Sequence, residues 1–177
     1  LIVPIHGGAD RHGRAFRQSN LVATVLLGVA GMGGDPRRLA AKVTVSLSDE
    51  LKKYIDESKV YATVATIGAN GQPHLTVVWL DRDGDELIYS TTVSRQQYRN
   101  VVRDPRVTVM INPPEQPFRY AEVRGTVTVA PDPERALPDT MSLKFTGLPY
   151  REFNPQSVDD TERVIIRITP TKVLGRF

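Results

Sequence analysis

Downstream of residue 45 the chain shows two hydrophobic rhythms, and each marks a different kind of element. Leu51, Tyr54 and Ile55 share one helical face behind two candidate N-caps, Ser46 and Ser48, with Asp49 and Glu50 at the positive end of the dipole, so a short helix is predicted over residues 48–57. Alternating, β-branched runs follow at 60–67 and 75–80, and the Asn70-Gly71 pair between them is a strong hairpin signal. A second turn at 81–85 leads into the run 86–90, and these three runs read as a meander of antiparallel neighbours. Ser94 opens a short helix that stops before Asp104-Pro105, where proline bars continuation. Extended structure resumes at 106–112, the proline-rich loop 113–117 turns the chain, and a long strand is predicted over 118–130. There Tyr120, Glu122, Arg124, Thr126 and Thr128 alternate with Ala121, Val123, Gly125, Val127 and Val129. Residues 132–144 read as helix and 163–169 as a last strand. Six strands with a few short flanking helices predict a mainly β fold, an antiparallel barrel that is closed or partly open.

Residues 1–45 break this rhythm. They combine Gly7-Gly8 and Gly33-Gly34-Asp35-Pro36 with an apolar run at 21–30, and they read as an N-terminal extension outside a folded domain of residues 46–177. Arg11, Arg14 and Arg17 ahead of that run also match the outline of a secretory signal, and the run is too short to span a bilayer. With 177 residues, 40% hydrophobic and 24% charged, the composition is that of a single globular domain. The net charge of +3 comes from the extension, where Arg11, Arg14, Arg17, Arg37, Arg38 and Lys42 face only Asp10 and Asp35. A near-neutral domain lacks the clustered cations that track a phosphate backbone. No nucleic acid, no membrane and a cytoplasmic location are therefore expected. The absence of cysteine excludes disulfides, thiolate metal sites and cysteine nucleophiles. His74 is the one histidine in the predicted domain, the other two being His6 and His12, so no metal centre is expected either.

The common local catalytic signatures are missing: no Gly-x-Ser-x-Gly elbow, no Gly-x-x-x-x-Gly-Lys loop, no Gly-x-Gly-x-x-Gly after a strand, no His-Glu-x-x-His. Asp81, Asp83 and Asp85 alternate in a turn without the bidentate glutamate of a calcium loop, and they read as solvated turn residues. One constellation stands apart, at the predicted junction of a strand and a helix: Ser90-Thr91-Thr92-Val93-Ser94-Arg95-Gln96-Gln97-Tyr98-Arg99-Asn100. Hydroxyls, two arginines, amides and free N–H groups at a helix start suit an anionic phosphate, though the same residues also serve as ordinary solvated decoration.

The blocks Tyr61-Ala62-Thr63-Val64-Ala65-Thr66, Gly71-Gln72-Pro73-His74, Val78-Trp79, Arg95-Gln96-Gln97-Tyr98-Arg99-Asn100, Asp104-Pro105-Arg106-Val107 and Arg119-Tyr120-x-Glu122-Val123-Arg124-Gly125 change the weighting. In this order they resemble the pyridoxamine 5′-phosphate oxidase-like split-barrel family, and within it the actinobacterial flavin/deazaflavin oxidoreductases that use coenzyme F420. The resemblance implies a split-barrel homodimer with cofactor sites between subunits, and it makes the exposed face around Tyr120 a candidate interface. It also places cofactor contacts at His74, Leu75, Thr76 and Val77 on the second strand. Further contacts fall at Thr91, Thr92, Arg95, Gln96, Gln97, Arg99 and Asn100 on the strand-to-helix segment. The implied function is hydride transfer from reduced F420 to an electron-poor small molecule such as a conjugated carbonyl, quinone or tetrapyrrole. FMN chemistry on the same fold and a non-catalytic redox-coenzyme carrier are the alternatives; a haem-binding split barrel would have only His74 as ligand. Gln97 departs from the branch, whose members commonly carry Lys there in an Arg-x-Lys-x-Arg-Asn pattern. Trp79 reads as a core residue, and no catalytic acid is named.

Overall fold

The computed structural model describes residues 45–159 and 162–177; all but the last residue of the predicted extension lies outside them. Helix α1 (Asp49–Glu57) forms where predicted. Ser48 is its cap, its hydroxyl accepting from Leu51 N at 3.2 Å. Leu51 and Ile55 are buried on its inner face. Ser46 does something else: its hydroxyl donates to Asp85 at 3.1 Å, and with Leu47 N and Lys52 Nζ at 2.7 Å it ties the start of α1 to a distant turn. Burial pushes the Asp85 carboxyl up, but Lys52, Leu47 N–H and Ser46 outweigh it and hold the group below the usual aspartate value.

The strands are β1 (Tyr61–Ile67), β2 (Pro73–Trp79), β3 (Asp81–Asp83), β4 (Glu86–Thr92), β5 (Arg106–Ile111), β6 (Tyr120–Pro131) and β7 (Arg163–Arg176). They form one antiparallel sheet in the order β2-β1-β5-β6-β7-β4-β3, curled into a half-barrel that brings β2 and β4 near each other. Two expectations are corrected. The sheet has seven strands, because the segment read wholly as a turn contains β3, paired with β4 across a two-residue loop whose Gly84 has φ +62°, as a first loop position of this kind requires. The meander also fails: β1 pairs with β2, but β4 pairs with β7, since a local alternation marks a strand without naming its partner. The last strand runs on to Arg176, pairing with β6 through a register shift at Arg124/Gly125. A Cβ on Gly125 would sit 2.5 Å from Thr169 O, so the shift requires glycine.

Val64, Val109, Val123, Ile166, Ile168, Leu87 and Tyr89 fill the interior of the curl. Tyr89 is fully buried, its hydroxyl has no partner, and burial raises its pKa. Helix α2 (Gln96–Arg103) bridges β4 and β5, while α3 (Ala136–Thr146) and the single turn α4 (Tyr150–Phe153) follow β6. Helix α3 starts four residues later than residue 132 because the Asp132 carboxylate itself caps it, accepting from Ala136 N and Leu137 N. Among the described residues no helix is long and apolar enough to cross a membrane.

Candidate functional site

The junction of β4 and α2 concentrates polar side chains, and four of them turn inward. Thr91, Thr92, Gln97 and Asn100 are all buried. Asn100 donates to Thr66 Oγ1 on β1 at 3.0 Å, while its carbonyl accepts from Gln96 at 2.8 Å and from Arg103 at 3.3 Å. Thr92 and Ser94 hydroxyls meet at 2.9 Å. Arg99 spans Ser94 O at 2.7 Å and Gln96 Oε1 at 2.9 Å. Gln97 Nε2 donates to Thr91 Oγ1 at 2.7 Å, leaving Gln97 Oε1 buried with no hydrogen-bond partner among the described residues.

Gln97 borders a cavity of about 350 Å³ between the sheet and the α3–α4 segment. Its sheet side includes Val77, Val78 and Trp79 of β2 and Ser90 of β4; its other side includes Met141, Tyr150 and Phe153. Trp79 stacks on Phe145 at 5.0 Å and 18° and meets Phe153 at 5.3 Å, while Tyr61 packs edge-on against Phe145 at 5.3 Å. This aromatic cluster keeps the helical side docked on β2. Ser90 Oγ, like Gln97 Oε1, is buried without a partner among the described residues, and such atoms beside a cavity cost free energy until something bonds to them. The side chain of Arg95, an exposed residue in the same lining, makes no hydrogen bond or ion pair among the described residues. Arg163, in the same lining, is buried at 6% exposure.

Of the residues expected to bind a cofactor, the cavity brings together Val77, Arg95 and Gln97. His74, Leu75 and Thr76 lie further along β2; Leu75 and Val77 are strongly exposed, at 64% and 66%, and His74 Nδ1 lies 3.5 Å from Thr76 Oγ1. Thr91, Thr92, Gln96, Arg99 and Asn100 form the bonded network beneath. Trp79 is core and wall at once, packed against the core cluster while lining the cavity. Sequence reasoning missed Ser90 as a lining residue, although it opens the quoted strand-to-helix constellation, and it missed Tyr150, Phe153 and Arg163. Tyr150 and Phe153 lie in a stretch to which no element was assigned, and Arg163 opens the predicted last strand, whose partner β4 no local signal names. Among the described residues, no group of three or more His, Cys, Asp or Glu is placed to hold a metal.

A flavin or deazaflavin needs flat apolar walls for its ring, hydrogen-bonding partners at the ring's polar edge and a cation for its phosphate. Trp79 and Met141, the unpartnered Ser90 and Gln97 atoms, and the uncommitted Arg95 meet these three needs.

Among solved structures, an F420 reductase is 32% identical over 69% of this chain and 94% of its own length, with a TM-score of 0.60. A conserved hypothetical protein of Mycobacterium tuberculosis, Rv2991, is 27% identical over 73% of this chain and 84% of its own, with a TM-score of 0.58. The haem storage protein HutZ of Vibrio cholerae, at 16% identity, 74% and 95% coverage and a TM-score of 0.55, shares the fold. No curated protein matches the sequence. The family model described as pyridoxamine 5′-phosphate oxidase matches residues 47–177. That span takes in every helix and strand from α1 to β7, and the chain therefore belongs to the pyridoxamine 5′-phosphate oxidase family.

Proposed function

We propose that this chain is an oxidoreductase that binds coenzyme F420 in the cavity beside the β4–α2 junction, works as a homodimer and reduces an electron-poor small molecule. One observation carries the reading: an uncommitted guanidinium, Arg95, stands on the rim of an aromatic-walled cavity whose wall holds two unpartnered polar atoms. The identity with an F420 reductase favours the deazaflavin over FMN. When bound, the reduced coenzyme supplies a hydride for a conjugated carbonyl, quinone or tetrapyrrole. The chain's own part is binding and exclusion of water. Arg95 balances the phosphate charge, Ser90 and Gln97 meet the polar edge of the ring, and Val78, Trp79 and Met141 keep the reacting face dry. The buried hydrogen bonds of Asn100 and Gln97 hold α2 so that Arg95 stays at the rim. Phe118 and Tyr120, exposed at 93% and 39%, give the dimer an apolar face.

The test is a titration of the purified protein with F420 and, separately, FMN, followed through Trp79, the sole tryptophan. F420 is expected to bind at least tenfold more tightly, about 1.4 kcal/mol. Preference for FMN moves the protein to flavin chemistry, and binding of neither overturns the coenzyme reading. Sedimentation equilibrium at micromolar concentration is expected to give twice the chain mass.

A further inference from the structure

Tyr150 stands where α4 meets the cavity, and its hydroxyl is held from two sides. Arg163 Nη2 donates to it at 2.7 Å and Asn154 Nδ2 at 3.3 Å, while the Arg163 guanidinium carbon lies 4.7 Å from the ring centre. A phenol oxygen that accepts twice still has its O–H to give, and among the described residues nothing accepts it. Arg163 and Tyr150 both line the cavity. Two donors on one oxygen polarise its O–H and strengthen it as a donor. The flat surfaces of Trp79 and Phe153 line the same cavity.

From these contacts we propose that Tyr150 is the residue that recognises the electron acceptor, donating its O–H to a carbonyl oxygen of a flat conjugated ligand stacked against Trp79 and Phe153. That the ligand is an electron acceptor rests on the redox function proposed above; the contact itself does not. Arg163 and Asn154 act as positioning residues, fixing the phenol oxygen so that its proton faces the cavity. The buried guanidinium further favours any negative charge that gathers on the ligand oxygen. A ligand of the same shape without the carbonyl would gain the stacking and lose the hydrogen bond.

The experiment uses the full chain with 1,4-naphthoquinone and naphthalene as a matched pair, read by equilibrium dialysis and by quenching of Trp79. The absence of cysteine removes thiol addition to the quinone as a competing event. 1,4-Naphthoquinone is expected to bind about tenfold more tightly than naphthalene. Tyr150→Phe, which keeps the ring, is expected to abolish that preference while leaving naphthalene unchanged. Asn154→Ala, which removes one of the two donors onto the phenol oxygen, is expected to reduce the preference less and serves if Tyr150→Phe does not fold. Equal affinity for the two probes, or a preference that these substitutions leave undiminished, overturns the proposal. Repeating the titration on F420-saturated protein separates the two readings. Quinone bound alongside the coenzyme supports the acceptor assignment, and quinone displaced by it overturns that assignment. A Tyr150-dependent preference in a protein that binds no F420 leaves the carbonyl contact standing and removes the coenzyme.

Discussion

The strand β2 and the β4–α2 junction were both expected to touch the same cofactor, yet they are built in opposite ways. Strand β2 is a sheet edge that turns Leu75 and Val77 outward, whereas the junction turns Thr91, Thr92, Gln97 and Asn100 inward and bonds each of them to another protein side chain. A residue type suited to a ligand therefore says little about whether it meets the ligand or supports the residue that does. Arg95 and the bare carbonyl of Gln97 are what the junction leaves for binding; Asn100 is what keeps them in place.

Breaking the support is expected to have the largest effect. Asn100→Ala removes three hydrogen bonds at a fully buried site, and a loss of about 3 kcal/mol in urea unfolding is expected; a loss under about 1 kcal/mol would show that α2 does not depend on this network. Arg95→Gln tests the opposite class. It is expected to leave stability unchanged and to weaken F420 binding by about 1.5–3 kcal/mol, the value of a charge-assisted contact, measured by calorimetry. Gln97→Lys falls between the two classes. It restores the cation common in the branch at a site only 2% exposed, so tighter F420 binding, by about tenfold, is expected together with lower stability of the unliganded protein. Unchanged or weaker binding removes Gln97 from the coenzyme's surroundings.

The smallest effect lies away from the cavity. Because the folded Asp85 carboxyl is held below its ordinary value of 3.8, its contribution is complete above that value and is lost as pH falls through the lower, folded pKa. Acid unfolding of Asp85→Asn is expected to show a shallower loss below about pH 4, by under about 1 kcal/mol, without any change in coenzyme binding.

How much of this could be read from the sequence depended on how local the information was. The β1–β2 hairpin was legible because Asn70-Gly71 lies between two β-branched runs, and α1 was legible because Ser48, Leu51 and Ile55 lie within two turns. The pairing of β4 with β7 was not, since Ser90 and Ile165 meet across most of the domain. The cavity followed the same rule. Arg95 and Gln97 came from one contiguous motif, but Tyr150 and Arg163 reach the wall only because α3, α4 and β7 fold back over β2 and β4. The inward turn of Thr91 and Asn100 was equally hidden, because Asn100's partner Thr66 is on another strand.

The two edges of the sheet differ in a way that bears on colloidal behaviour. At one end β3 is only three residues long and is charged throughout, with Asp83 paired to Arg167 and Arg82 to Asp56, a poor template for a further strand. At the other, β2 offers seven residues, none of them Asp, Glu, Lys or Arg. One adhesive side and one blunted side let a single chain add edge to edge once. In the homodimer proposed on the Phe118 and Tyr120 face each copy brings its own β2 edge, so crowding should join whole dimers through β2 rather than through β3.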